Sequence, residues 1–202
     1  LRATITFTDT GVNSSNNIKE SILEGLPIVG QERVVLKFED NNKVTIGDKP
    51  ELVMYVNKVT PISDDTRKTQ IQLDLVSAEF IRNEKARITK RYDGKISDHV
   101  KQLLTEGNCI GLKTKKDVSD IDETLNNYNY IGNNKKPFYI INWLSRKSIS
   151  AENQKKGKSA GYFFFETADG FHFKSIDSLF AQKQKKSIIF NETPGIPEGY
   201  DL

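Results

Sequence analysis

Through residues 1–95 apolar and polar positions mostly alternate, the period of strands with one buried face. "LRATITFTD" sets Ala3, Ile5 and Phe7 against Arg2, Thr4, Thr6 and Thr8. "ERVVLKFED" (32–40) sets Val34, Leu36 and Phe38 against Arg33, Val35, Lys37 and Glu39. "LVMYVNKVTPIS" (52–63) is dense in β-formers and is expected to stop at Pro61-Ile62-Ser63. "TRKTQIQLDLVSAEFI" (66–81) sets Ile71, Leu73 and Leu75 against Gln70, Gln72 and Asp74. The joins Asn-Asn-Lys, Gly-Asp-Lys-Pro and Ser-Asp-Asp-Thr are turn chemistry. Four or more antiparallel strands of this kind predict a small barrel or sandwich.

The period then changes. In "KISDHVKQLLTEG" Val100, Leu103 and Leu104 share one face of a helix, with Ser97 as N-cap, Asp98 in the first turn and Gly107 at the end. This helix is expected to pack on the sheet. Residues 108–136 are polar and turn-rich, so a boundary or long surface connection is expected there. Pro137 opens a second helix, 137–150, whose apolar side holds Ile140, Ile141, Trp143 and Leu144. The chain thus divides into a β-domain with one helix (1–110) and an α+β domain (111–202). A final strand "KSIIFNE" and its tail, 187–202, read as the start of a further barrel. The fold class is α+β, mainly β.

The second domain turns on "GYFFFETADGFHFKSID" (161–177). Ala168-Asp169-Gly170 fits a three-residue hairpin loop with Asp169 and Gly170 at the turn and the glycine in the left-handed region. That register pairs Phe165 with Phe173 and Phe163 with Ser175, and on the other face Glu166 with His172 and Phe164 with Lys174. The predicted core of this domain is Trp143, Phe163, Phe165 and Phe173, since burying such rings contributes roughly 1.5–3 kcal/mol each. A rival reading makes 162–165 a base-stacking strand, because "KSAGYFFF" is similar to the aromatic strand of RNA-recognition domains. Ser159 and Ala160 stand where that strand has a glycine and an aromatic.

Composition narrows the chemistry. A net charge of +3 does not by itself call for nucleic acid or an acidic membrane, and no apolar run is long enough to span a bilayer. The single Cys109 excludes an internal disulfide framework and a multi-cysteine zinc site. His99 and His172 are the only imidazoles. "GKS" at 157–159 is not a phosphate loop, because Glu152 stands where a glycine is needed and the segment feeds a strand. The lysines at 155, 156, 158, 183, 185 and 186 read as solvated loop charges. No catalytic constellation, cofactor site or metal site is apparent, and the chain is expected not to be an enzyme. It opens on Leu-Arg, as expected of a processed chain or a segment of a longer one.

The order of parts resembles the baseplate central hub protein of contractile-tailed bacteriophages, a family related to tail-tube subunits and the base of type VI secretion spikes. The matching pieces are the strand pair ending in Ser77-Ala78-Glu79-Phe80-Ile81, the helix "ISDHVKQLL", the helix "YIINWLSRKS" and, most specifically, "FFFETADGFHFKSID". The resemblance implies a tail-tube-like β-barrel in a homotrimeric ring. That ring would join the tail tube to a puncturing spike and pass DNA through its channel. It implies a virion location, with tail tube, spike and other baseplate proteins as partners. The usual hub chain carries a second barrel after this segment. Subunit contacts are expected on the strands 32–39 and 52–59, at Val35, Lys37, Tyr55 and Asn57.

Overall fold

The computed structural model describes residues 1–10, 28–38, 51–65, 68–107, 111–151 and 161–184. Four antiparallel strands form the first sheet: β1 (Arg2–Asp9), β2 (Arg33–Lys37), β3 (Glu51–Asp65) and β4 (Lys68–Val76). Their order is β1-β4-β3-β2, and the sheet curls into a half-barrel. The alternating pattern survives intact. Met54, Val56, Ile71, Leu73 and Leu75 are buried on the inner face, with Ala3, Ile5, Phe7, Val34 and Leu36 packed against them. Phe38 falls just past β2 and is exposed.

β3 does not stop at Pro61. It runs on to Asp65 because register shifts between Val56 and Lys58 and between Pro61 and Ser63 absorb the irregularity. A bulge tolerates a residue without an N–H and bends the strand, so these two features also curl the sheet.

The last strand ends earlier than predicted. β4 stops at Val76, and Ala78–Lys85 form a helix, α1, that the alternation hides. The inward face of α1 carries Glu79 and Asn83, four residues apart and both polar. Thr114 Oγ1 donates to Glu79 Oε1 at 2.8 Å, and the Phe138 N–H donates to Asn83 Oδ1 at 2.8 Å. A helix whose buried face is polar leaves no hydrophobic periodicity to read.

The second core gathers residues from Ile88 to Phe173. It includes β5 (Arg91–Tyr92), α2 (Ile96–Thr105), β6 (Tyr130–Ile131), α3 (Pro137–Ser145), β7 (Tyr162–Glu166) and β8 (Phe171–Ser175); a short α4 (Ile176–Phe180) follows. α2 lies elsewhere than expected. The helix does not pack on the sheet: Ile96, Val100, Leu103 and Leu104 are buried with Ile140, Ile141 and Leu144 of α3. It also starts two residues early, with Lys95 at the N-cap in place of Ser97. Ser97 lies inside the first turn, and its N–H donates to Thr124 Oγ1 at 2.9 Å.

The expected surface connection is likewise part of this core. Leu112 and Ile121 are buried, and residues 117–122 run parallel to β8 through bridges of Asp117 to Gly170 and Ile121 to Phe173. α3 begins at Pro137 as predicted but ends at Ser145, short of 150, where Ser148 Oγ turns back to the Leu144 carbonyl at 2.9 Å. Cys109 and the segment 187–202 read as the start of a further barrel lie outside the described residues.

The hairpin pairs one residue away from its predicted register. Glu166 faces Phe171, Phe165 faces His172, Phe164 faces Phe173 and Tyr162 faces Ser175. The loop is therefore the four residues 167–170. A slip of one residue changes every cross-strand partner. Tyr162, Phe164, Phe171 and Phe173 face the core, whereas Phe163 and Phe165, predicted to be core, are 55% and 37% exposed. Phe173 is fully buried and Trp143 is half-buried at the edge of the same cluster. Gly170 is not in the left-handed region. Its need for glycine is spatial: a Cβ there would stand 2.5 Å from the Asp117 carbonyl oxygen.

Candidate functional site

Two surfaces concentrate the sequence-predicted residues. The first is the outer face of the sheet beside its β2 edge. Antiparallel pairing sets Arg33 opposite Tyr55, Val35 opposite Val53 and Lys37 opposite Glu51. All six side chains point away from the inner core, by the two-residue alternation. Val35 is 37% exposed, and Lys37 Nζ lies 2.9 Å from Glu51 Oε1. Asn57 sits at the first bulge of β3 and is exposed. Tyr55 is half-buried. A cleft of about 330 Å³ separates Val53 and Tyr55 from Glu79, Arg82, Lys115 and Lys116. The four predicted interface positions therefore share one edge region of one sheet face, adjoining the junction between the two cores.

The junction itself is polar. Ser77, between β4 and α1, donates from Oγ to Glu166 Oε2 at 3.1 Å. Lys116 Nζ donates to Glu166 Oε1 at 2.8 Å. Arg2 of β1 lies over the Phe80 ring of α1, 4.8 Å from its centroid. Glu166, at the end of β7, thus ties the hairpin to the end of β4.

The second surface is the outer face of the hairpin. Phe165 stacks on His172 with centroids 4.8 Å apart. His172 Nδ1 is 2.6 Å from Asp120 Oδ2, and its Nε2 is 2.8 Å from Thr167 Oγ1. Lys174 forms ion pairs with both Asp120 and Asp122, the latter at 3.0 Å. Asp122 also accepts from the Ser175 N–H at 2.9 Å and from the Ser178 hydroxyl. Burial pushes the Asp120 and Asp122 carboxyls up, but the bonds they accept outweigh it and hold both below the ordinary carboxylate range. The same pairs hold Lys174 above its ordinary value against the cost of burial.

Thr167, His172 and Asp120 stand in the order hydroxyl, imidazole, carboxylate, which the sequence reading did not bring together. The Thr167 hydroxyl also accepts from the Gly170 N–H at 3.3 Å, so it closes the hairpin loop. The chemistry of this lattice is to fasten the hairpin to the 117–122 segment. A sequence signal for it did exist. Asp120 and Asp122 alternate as His172 and Lys174 do, but 52 residues separate each pair.

Behind α3 a third aromatic group assembles. Tyr130 stacks on Tyr92 with centroids 5.1 Å apart, and Trp143 meets both Tyr128 and Tyr130 edge-to-face. His99 is buried beside them, its Nε2 3.0 Å from the Tyr128 carbonyl oxygen. Burial pushes the Tyr92 phenol up to about 12 and the Tyr130 phenol further.

No family model matches the chain. A stretch of 91 residues, 44% of this chain, is 33% identical to part of the E3 ubiquitin-protein ligase UPL6 of Arabidopsis thaliana. The match covers 8% of that protein's length.

Proposed function

We propose that this chain is a structural subunit of a phage tail baseplate hub, assembling as a trimeric ring between tail tube and spike. The observation that carries this reading is the curled four-stranded sheet, whose β1 and β2 end strands lie at its two edges. Edge strands offer unpaired backbone groups to a neighbouring chain, and two different edges joined head to tail generate a ring when the rotation closes. Val35, Lys37, Tyr55 and Asn57 flank one of these edges and serve as the contact surface. The tail-tube kinship, the virion location, the tail tube and spike partners and the passage of DNA through the channel belong to the same proposal. No helix among the described residues is long and apolar enough to cross a membrane.

Light scattering across a range of protein concentrations, with negative-stain images, tests the assembly. The expected mass is three times 22.9 kDa, with a ring-shaped projection. Val35→Lys places a charge at the edge and is expected to yield monomer with an unchanged circular dichroism spectrum. A strict monomer of the unaltered chain at high concentration overturns the ring.

One observation favours a second reading, a nucleic-acid-binding module on the strand 162–165. Tyr162 and Phe164, the rings expected to stack on bases, face the core, but Phe163 and Phe165 present two phenyl rings outward on that strand. Against it, Lys174, the cation on the same face, is already neutralised by Asp120 and Asp122. Salt-dependent binding of single-stranded nucleic acid, weakened by Phe163→Ala and Phe165→Ala, would replace the hub reading with this one.

A further inference from the structure

The Trp143 and Tyr128 rings meet at 76° with centroids 5.4 Å apart, forming a two-walled corner. Tyr130 backs the corner, 5.6 Å from Trp143 and 6.5 Å from Tyr128. The ammonium of Lys147 sits in this corner, 5.3 Å from the Tyr128 centroid and 5.4 Å from the Trp143 centroid. Lys147 itself is exposed, and its backbone carbonyl is tied down by Asn126 Nδ2 at 2.8 Å. The backbone is therefore fixed while the side chain reaches back over two ring faces.

Aromatic faces attract cations, and tryptophan does so best. The distances say which cation the corner suits. A methyl carbon touches a ring at about 3.5–4 Å, and the nitrogen lies roughly 1.5 Å behind it. A quaternary nitrogen in contact through its methyl groups therefore stands about 4–5.5 Å from the ring, nearer when three methyls face it and further when one does. Lys147 Nζ occupies that distance from both walls, further out than a bare ammonium needs for contact. A primary ammonium at this distance supplies the charge without methyl contacts to the rings.

We infer that the Tyr128–Trp143 corner is a binding seat for a quaternary ammonium cation, and that Lys147 is its tethered, displaceable occupant. The ligand class is a trimethylated nitrogen on a small organic carrier, of which choline is the simplest. Binding requires Lys147 to swing into solvent, which its exposure allows. The seat stands on geometry of its own and is independent of the hub reading.

The chain holds one tryptophan, so the seat carries its own reporter. Tetramethylammonium chloride is titrated against the full chain while Trp143 fluorescence is followed, with sodium and ammonium chloride at matched ionic strength as controls. The expected result is a saturable change with tetramethylammonium alone. Lys147→Ala removes the competing cation and is expected to tighten binding about tenfold. Tyr128→Leu removes one wall and is expected to abolish the response. Choline and phosphocholine, titrated in parallel, separate a free cation from a phosphorylated headgroup, and tighter binding of either supports the seat. No saturable response in Lys147→Ala, an exposed-site variant whose folding circular dichroism checks, overturns the inference. So does an equal response to ammonium.

Discussion

Phe163 and Phe173 lie on paired strands, and their ordering by burial separates the two possible hairpin registers. Phe173 is fully buried and stacks on Tyr162 with centroids 4.7 Å apart. Phe173→Ala is expected to cost about 3–5 kcal/mol, whereas Phe163→Ala should stay within about 0.5 kcal/mol. Urea unfolding of both variants measures the difference, and equal losses would reject the register. His99 gives a second residue-scale prediction. Burial pushes its pKa below the ordinary 6.5, only partly countered by bonds with the Tyr128 and Gly94 backbone. The unfolded chain then binds this proton more readily than the fold does. Stability from this group is full above about pH 6.5 and falls as pH drops below it. The depressed Asp120 and Asp122 carboxyls add a second fall as pH passes below about 4. Melting temperatures from about pH 8 to about pH 3 should show both phases, and His99→Gln should remove the upper one alone.

At the scale of elements, the hairpin is held by its neighbours more than by its loop. Residues 117–122 pair along β8, with the Phe171 N–H donating to the Asp117 carbonyl at 2.8 Å and the Asp122 N–H to the Phe173 carbonyl at 2.9 Å. Gly170 lets Asp117 approach this closely. Gly170→Ala should therefore push the 117–122 segment off β8, costing about 2–3 kcal/mol by urea unfolding. A loss near zero would mean that glycine serves the turn alone. The β2 edge differs in kind. It is short and flanked by Arg33 and Lys37, which discourages indiscriminate pairing and leaves Val35 as the apolar residue at its centre on the outer face.

Across the whole molecule two cores meet through a narrow set of polar bonds. Ser77, Glu166 and Lys116 link the end of the sheet to the hairpin, by contacts such as Ser77 to Glu166 across 89 residues of sequence. Burying a carboxylate is costly unless it is bonded, and Glu166 is compensated by the bonds it accepts from Ser77 and Lys116 and by its ion pair with the Leu1 amino group. These bonds tie the hairpin of the second core to the end of the half-barrel.

The alternating residues by themselves determined the four-strand sheet and its inner face, because a period of two leaves only one way to bury Ile71, Leu73 and Leu75 together. Pro137 likewise fixed the start of α3, and "TADG" marked a turn. The tertiary structure decided the rest. Four consecutive aromatics, Tyr162 to Phe165, offer two equally apolar faces, so only the packing of Phe164 and Phe173 against residues far along the chain chose between them. α1 escaped notice because its buried face is Glu79 and Asn83, whose partners are Thr114 and the Phe138 backbone. α2 shows the same limit. Its stripe of Val100, Leu103 and Leu104 declared a buried face, but a hydrophobic stripe carries no address. The helix joins Ile140, Ile141 and Leu144 because that is where the folded chain brings a matching surface.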